Sequence, residues 1–162
     1  CTPHLQRFSI PLPHMNVHIL GNGAWGNALL SVIKHNCPTA SIVKRGQKLD
    51  QPDLVILSVP TQSIRESLEP ISADKNIIIV NTAKGIEKST HLLPHKIVQS
   101  VLGNDVEYYT LIGPSFAQEV TRRMPTLVNL GYSKKGSNNI KVKNLFQTNF
   151  FRVKLNSSVE LL

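Results

Sequence analysis

Cysteine is scarce in this chain. There are two in 162 residues, Cys1 and Cys37, with no C-x-x-C or metal-ligand spacing between them. A disulfide scaffold and a clustered-thiolate metal site are therefore not expected, and a reducing, cytoplasmic setting is. Long apolar runs are missing as well, since none approaches the roughly 20 residues that a membrane span requires. The opening segment CTPHLQRFSIPLPH has three prolines and no continuous apolar stretch, so it does not read as a secretory signal. Residues 1–14 are expected to form an unstructured leader, with the ordered chain starting at Met15.

Acidic residues are also few, ten against eighteen Lys and Arg, for a formal charge of +8. Such an excess raises nucleic-acid binding as a class, but its distribution argues otherwise. Residues 1–120 carry ten Lys/Arg and nine Asp/Glu, whereas residues 121–162 carry eight and one. The cations of that last quarter are dispersed and not interleaved with aromatics. They suit a solvated basic face, or attraction of a phosphorylated ligand, better than a nucleic-acid partner.

The sequence does contain short apolar runs alternating with helical periodicity. Strands are predicted at Asn16–Leu20, Ala40–Val43, Asp53–Val59, Asn76–Asn81, Tyr108–Ile112, Pro125–Gly131 and Phe150–Lys154. Helices are predicted at Ala24–His35, Thr61–Ile71, Ser89–Leu102, within Gly113–Arg123, and at Asn138–Thr148. Ser63 and Glu66 are spaced as a capping box, and Pro94 marks a shifted helix start or a kink. Near-continuous apolar strands separated by helices are what a parallel sheet covered on both faces requires. The expectation is one doubly wound α/β domain over residues 15–162. A length of 162 residues suffices for one proper core and is short for two.

Gly21-Asn22-Gly23-Ala24-Trp25-Gly26 fits G-x-G-x-x-G, directly after the first strand and opening the first helix. In that context Gly21 permits the tight turn, Gly23 lets the backbone approach a pyrophosphate, and Gly26 allows close helix–strand packing. The helix N-terminus offers free N–H groups to the phosphates. An acid that would bind ribose hydroxyls is expected at the end of the second strand for NAD, but that end reads Val43-Lys44-Arg45-Gly46. A cation there suits the 2′-phosphate of NADP, with Arg45 favoured because a guanidinium bonds phosphate bidentately. NADP is thus favoured over NAD, with both left open.

Three further segments follow strand ends in order: Val59-Pro60-Thr61-Gln62, Asn81-Thr82-Ala83-Lys84-Gly85-Ile86-Glu87, and Ile112-Gly113-Pro114-Ser115-Phe116-Ala117-Gln118-Glu119. Together with the glycine turn, this series resembles the N-terminal domain of NAD(P)-dependent glycerol-3-phosphate dehydrogenase. The resemblance covers residues 15–162. It implies a mainly parallel Rossmann-type sheet with helices on both faces. It also implies an oxidoreductase that interconverts sn-glycerol 3-phosphate and dihydroxyacetone phosphate by hydride transfer with NAD(P)(H), feeding glycerophospholipid synthesis.

Residue by residue, the resemblance implies cofactor contacts at Gly21, Gly23, Ala24, Trp25, Gly26, Arg45, Lys84 and Ala117. It implies substrate contacts at Lys84, Gly113 and Ser115. A lysine at a strand end can neutralise phosphate or polarise a carbonyl oxygen as hydride arrives. In the family a V-E-L segment leads into a helix carrying the catalytic lysine and then a helical substrate domain. The sequence ends at Val159-Glu160-Leu161-Leu162, so no catalytic residue is expected within it and the helical domain is expected to be absent. The flank where that domain docks is expected to be apolar, with homodimerisation through it left open. The connection Lys44–Pro52 is shorter than the family's, which puts a wall of the adenosine pocket in question. Two other readings stand beside this one: a related two-domain dehydrogenase of the 3-hydroxyacyl-CoA or ketopantoate type, and a non-catalytic nucleotide-binding module.

Overall fold

The computed structural model describes residues 15–44, 46–49, 51–71, 77–132 and 138–159. The leader, Arg45 and Glu160–Leu162 lie outside the described residues, and so do the expectations placed on them.

Among the described residues seven strands form one sheet: β1 (Val17–Leu20), β2 (Ser41–Val43), β3 (Leu54–Leu57), β4 (Ile78–Asn81), β5 (Glu107–Ile112), β6 (Thr126–Tyr132) and β7 (Phe151–Asn156). Their spatial order is β2-β1-β3-β4-β5-β6-β7. β2, β1, β3, β4 and β5 are parallel, β6 runs antiparallel to β5, and β7 is parallel to β6. The helices are α1 (Ala24–Ile33), α2 (Ile64–Leu68), α3 (Pro94–Leu102), α4 (Ala117–Thr121) and α5 (Asn139–Phe146). This is the expected doubly wound, mainly parallel sheet.

Strand alternation divides the core into two layers. Ile19, Leu54, Ile56 and Val80 point to the face that packs with Leu29, Val32 and Ile33 of α1 and Val142 and Phe146 of α5. Their neighbours Leu20, Val55, Leu57 and Ile79 point to the other face, with Ile64 and Leu68 of α2 and Ile97 and Val98 of α3. β3 and β4 are buried at every position because both faces are covered, which is why they read as unbroken apolar runs. Each such side chain contributes about 1.5–3 kcal/mol by leaving water.

Several local expectations are corrected. Ser63 makes no side-chain cap bond, because Thr61–Ser63 forms a 3-10 turn first and places Ser63 in helical geometry. Its N–H donates to Pro60 O at 2.8 Å, so the predicted capping box does not form. The predicted helix from Thr61 to Ile71 is thereby reduced to five α-helical residues. Between Pro94 as a shifted start and as a kink, the structure selects the start: Leu93 is the N-cap and Pro94 the first helical residue. The helix within Gly113–Arg123 is confined to Ala117–Thr121.

Candidate functional site

The chain leaves β1 to form β2 on one side and returns to form β3 on the other. The crevice at the carboxyl ends of β1 and β3 is therefore the switch point where open α/β sheets take their ligands. A cavity of 550 Å³ lies there, reached by Gly21, Gly23, Lys44, Gln47, Ser58 and Ser63 among others.

The three glycines of the turn have separable jobs. Gly21 sits at φ +111°, and a Cβ there would lie 2.2 Å from the backbone oxygen of Ser58. A Cβ on Gly26 would lie 2.1 Å from the backbone oxygen of Gly21, so this glycine lets α1 close on the turn. Gly23 differs, since a Cβ there meets nothing within 4 Å. Nothing in the protein itself requires a glycine at that position, and it faces the cavity. Gly23 is the N-cap of α1, which has no side-chain cap bond and no acid in its first turn, an arrangement that suits an anion at its leading N–H groups. Asn27 pins the turn from within, its Nδ2 donating to Asn22 O at 2.8 Å and to Gly23 O at 3.0 Å. Asn27 lies one residue beyond the G-x-G-x-x-G pattern, which therefore gives no signal for it.

The remaining wall comes from the short β2–β3 connection and from α2. Gln47 Oε1 accepts from the Lys44 N–H at 2.8 Å and closes the turn. Leu49 is buried and packs with the second core layer while lining the cavity. A brief connection thus still supplies a wall. Glu66 and Glu69 of α2 and its C-cap also face the cavity, which apolar periodicity could not indicate.

The expected residues are not all in one place. Gly21 and Gly23 line the large cavity. Trp25 is half-buried and packs against the first core layer instead. Lys84 is exposed and lines a second, smaller cavity of 290 Å³ with Asn81, His95, Tyr108, Thr110 and Val159. Gly113 and Ser115 occupy the β5–α4 turn and Ala117 opens α4, and none of the three lines either cavity. Gly113 is fixed there by β6, since a Cβ would come 2.8 Å from Leu127 O. In the smaller cavity burial raises the Tyr108 phenol well above its usual range, although hydrogen bonds with Thr110 and Asn81 oppose the shift. The phenol therefore stays protonated and acts there as a neutral hydrogen-bonding group.

The loop carrying Lys84 is pinned to the preceding strands and turn. Asn81 folds onto it, its Oδ1 accepting from Ala83 N–H at 3.1 Å and its Nδ2 donating to Ala83 O at 2.9 Å. Thr61 Oγ1 donates to Lys84 O at 2.7 Å, and Gln62 Nε2 to Ile86 O at 2.8 Å. The Val59–Gln62 segment, one of the four motifs in the sequence, thus helps to hold the Lys84 loop.

The large apolar side chains exposed among the described residues are Ile86, Phe116, Met124, Leu127 and Ile140. Leu127 stands exposed on β6, but its neighbours on that face of β7, Arg152 and Lys154, are exposed cations. Among the described residues no helix is long and apolar enough to cross a membrane. No group of three or more His, Cys, Asp or Glu side chains among them is arranged to hold a metal.

Comparison with known proteins identifies the family. The family described as NAD-dependent glycerol-3-phosphate dehydrogenase N-terminus matches residues 46–138. The glycerol-3-phosphate dehydrogenase [NAD(P)+] of Syntrophomonas wolfei is 40% identical over 111 residues, covering 66% of this chain and 32% of that protein. Its counterpart in Methylobacillus flagellatus is 33% identical over 149 residues, covering 72% and 45%. The crystal structure of glycerol-3-phosphate dehydrogenase from Coxiella burnetii superposes with a TM-score of 0.75 at 23% identity, over 91% of this chain and 55% of that one. The enzyme of Saccharomyces cerevisiae gives 0.77 at 16% identity, which shows a shared fold. The chain spans about a third to a half of the length of the curated relatives it matches. The chain belongs to the NAD-dependent glycerol-3-phosphate dehydrogenase family and corresponds to its N-terminal domain.

Proposed function

We propose that this chain binds NAD(P)(H) across the β1–β3 crevice, as the cofactor-holding part of an enzyme interconverting glycerol 3-phosphate and dihydroxyacetone phosphate. The observation that carries this reading is the contrast among the three glycines. Two are required by the fold, and the third is required only if a ligand approaches the backbone at Gly23. The uncapped start of α1 supplies N–H groups and a partial positive charge suited to a pyrophosphate.

In this reading Gly21, Gly23, Ala24, Trp25 and Gly26 form the pyrophosphate turn, with Ala117 toward the nicotinamide end. The bound cofactor supplies the hydride chemistry. Lys84 neutralises the anionic ligand and approaches both cofactor and substrate, while Gly113 and Ser115 contact the substrate. Lys44 lines the adenosine side of the cavity, and with Arg45 next to it in sequence it favours the extra phosphate of NADP(H). A cytoplasmic setting suits Cys37, which is buried as a free thiol.

Trp25, the one tryptophan of the sequence, is a built-in reporter. Titration with NADPH and with NADH, followed by tryptophan quenching, should give saturable binding of both with NADPH the tighter. No saturable binding of either would overturn the assignment.

A further inference from the structure

The Lys84 loop is held by more than backbone turns. Arg65, on the outer side of α2, lays its guanidinium along the Glu87 carboxylate, with Nε 3.2 Å from Oε1 and an outer nitrogen 2.9 Å from Oε2. Its other terminal nitrogen donates to Ser100 Oγ on α3 at 3.0 Å. The Thr90 hydroxyl donates to the same carboxylate. Glu87 is 5% exposed although it sits in a loop between exposed neighbours. Its backbone is also tied across the loop, N–H to Leu92 O at 2.9 Å and C=O accepting from His91 N–H at 2.8 Å. Gln62 closes the other side by accepting from the Lys88 N–H at 2.9 Å. A buried carboxylate three residues after Lys84, gripped by a fork from one helix that also reaches the next, is a costly arrangement for an ordinary surface loop.

We propose that Arg65 and Glu87 are a positioning pair that locks the 84–92 loop against α2 and α3 and thereby sets where Lys84 meets an anionic ligand. This rests on the reading of Lys84 given under Proposed function. Neither side chain of the pair touches the ligand in this scheme. Their effect passes through the Thr61 and Gln62 bonds to the backbone of Lys84 and Ile86. A bidentate fork restrains rotation as well as distance, which a single ammonium contact would not do.

The test uses the 162-residue chain with Arg65→Ala, Arg65→Lys, Glu87→Gln and Lys84→Ala, alone and with Lys84→Ala combined with each pair variant. Two quantities are read: amide hydrogen exchange across residues 84–92, and NADH affinity. Arg65→Ala and Glu87→Gln should speed exchange at the Glu87, Lys88 and His91 amides by about tenfold, the scale of losing a charge-assisted bond. Exchange in β3 and β4 should stay at its original rate. Both variants should weaken NADH several-fold, with no further loss once Lys84 is already alanine. Arg65→Lys should recover only part of each effect. If Arg65→Ala does not fold, the nearly isosteric Glu87→Gln carries the measurement.

Unchanged exchange in the loop overturns the pair. An NADH loss of equal size with and without Lys84 also overturns it, because that would be general loosening. NADH binding that ignores Lys84→Ala, or no binding by the unsubstituted chain, instead overturns the Proposed function and the positioning role with it.

Discussion

At the residue scale, Gly23 and Gly26 make opposite predictions although the motif treats them alike. Gly23→Ala adds a methyl to open space at a normal φ of −69°, so thermal stability should stay within about 0.5 kcal/mol. NADH affinity should nonetheless fall by about tenfold or more, because the methyl occupies the approach to the α1 amides. Gly26→Ala drives a methyl into the Gly21 carbonyl and should cost about 1–3 kcal/mol, readable as a lower denaturation midpoint. Equal stability losses in the two variants would refute this division.

Glu87 gives a residue-scale pH prediction. The Arg65 hydrogen bond, then that of Thr90, holds its carboxyl below the ordinary 4.5, against the opposing effect of burial. A folded value below the unfolded one means that the stabilisation is complete above pH 4.5 and is lost as pH falls through the folded value. The unsubstituted chain should therefore lose more stability than Glu87→Gln as acid denaturation proceeds below pH 4.5. Parallel curves would exclude a contribution from this carboxylate.

At the scale of elements, what surrounds a strand decides its pattern. β3 and β4 lie mid-sheet under helices on both faces, and all four residues of each are buried. β7 is an edge strand and alternates, with Phe151 and Val153 buried and Arg152 and Lys154 exposed. Phe151→Ala should cost about 3–5 kcal/mol, since it removes a fully buried ring from the first core layer. Arg152→Gln with Lys154→Gln should change unfolding free energy by less than about 0.5 kcal/mol. A comparable cost for the double variant would mean that the edge is covered in solution.

The same scale explains which helix ends could be read. Pro94, which the sequence leaves open between a helix start and a kink, takes the start because its fixed φ and missing N–H suit the first helical position. The Ser63–Glu66 spacing misled because a 3-10 turn from Thr61 rotates Ser63 into helical geometry. That turn depends on where Thr61 and Gln62 find partners, namely Lys84 and Ile86, 23 and 24 residues away. Local pattern holds no information about them.

At the scale of the molecule, the crevice exists because strand order reverses between β1 and β3, and under the proposed function Lys44 on its rim would bear on the choice between the two dinucleotides. Lys44→Glu should weaken NADPH by about tenfold, the scale of a charge-assisted bond to phosphate, and leave NADH within about twofold. Competitive titration against the two dinucleotides measures this. An equal effect on both would remove Lys44 from the discrimination. The overall charge of +8 is no guide here, because the excess lies in the last quarter of the chain, including exposed Arg152 and Lys154.

The sequence by itself determined the doubly wound class, the order of the elements and the glycine turn. Apolar period and glycine spacing are local, and the two faces of a covered sheet leave their imprint in adjacent residues. The tertiary structure alone decided which of those residues meet. It laid half-buried Trp25 against the first core layer, gave a short connection a wall through Leu49, and separated Lys84 from the glycine cavity. It also buried Glu87 against Arg65. Those outcomes depend on contacts between segments tens of residues apart, whose geometry is set by the twist and packing of the whole sheet.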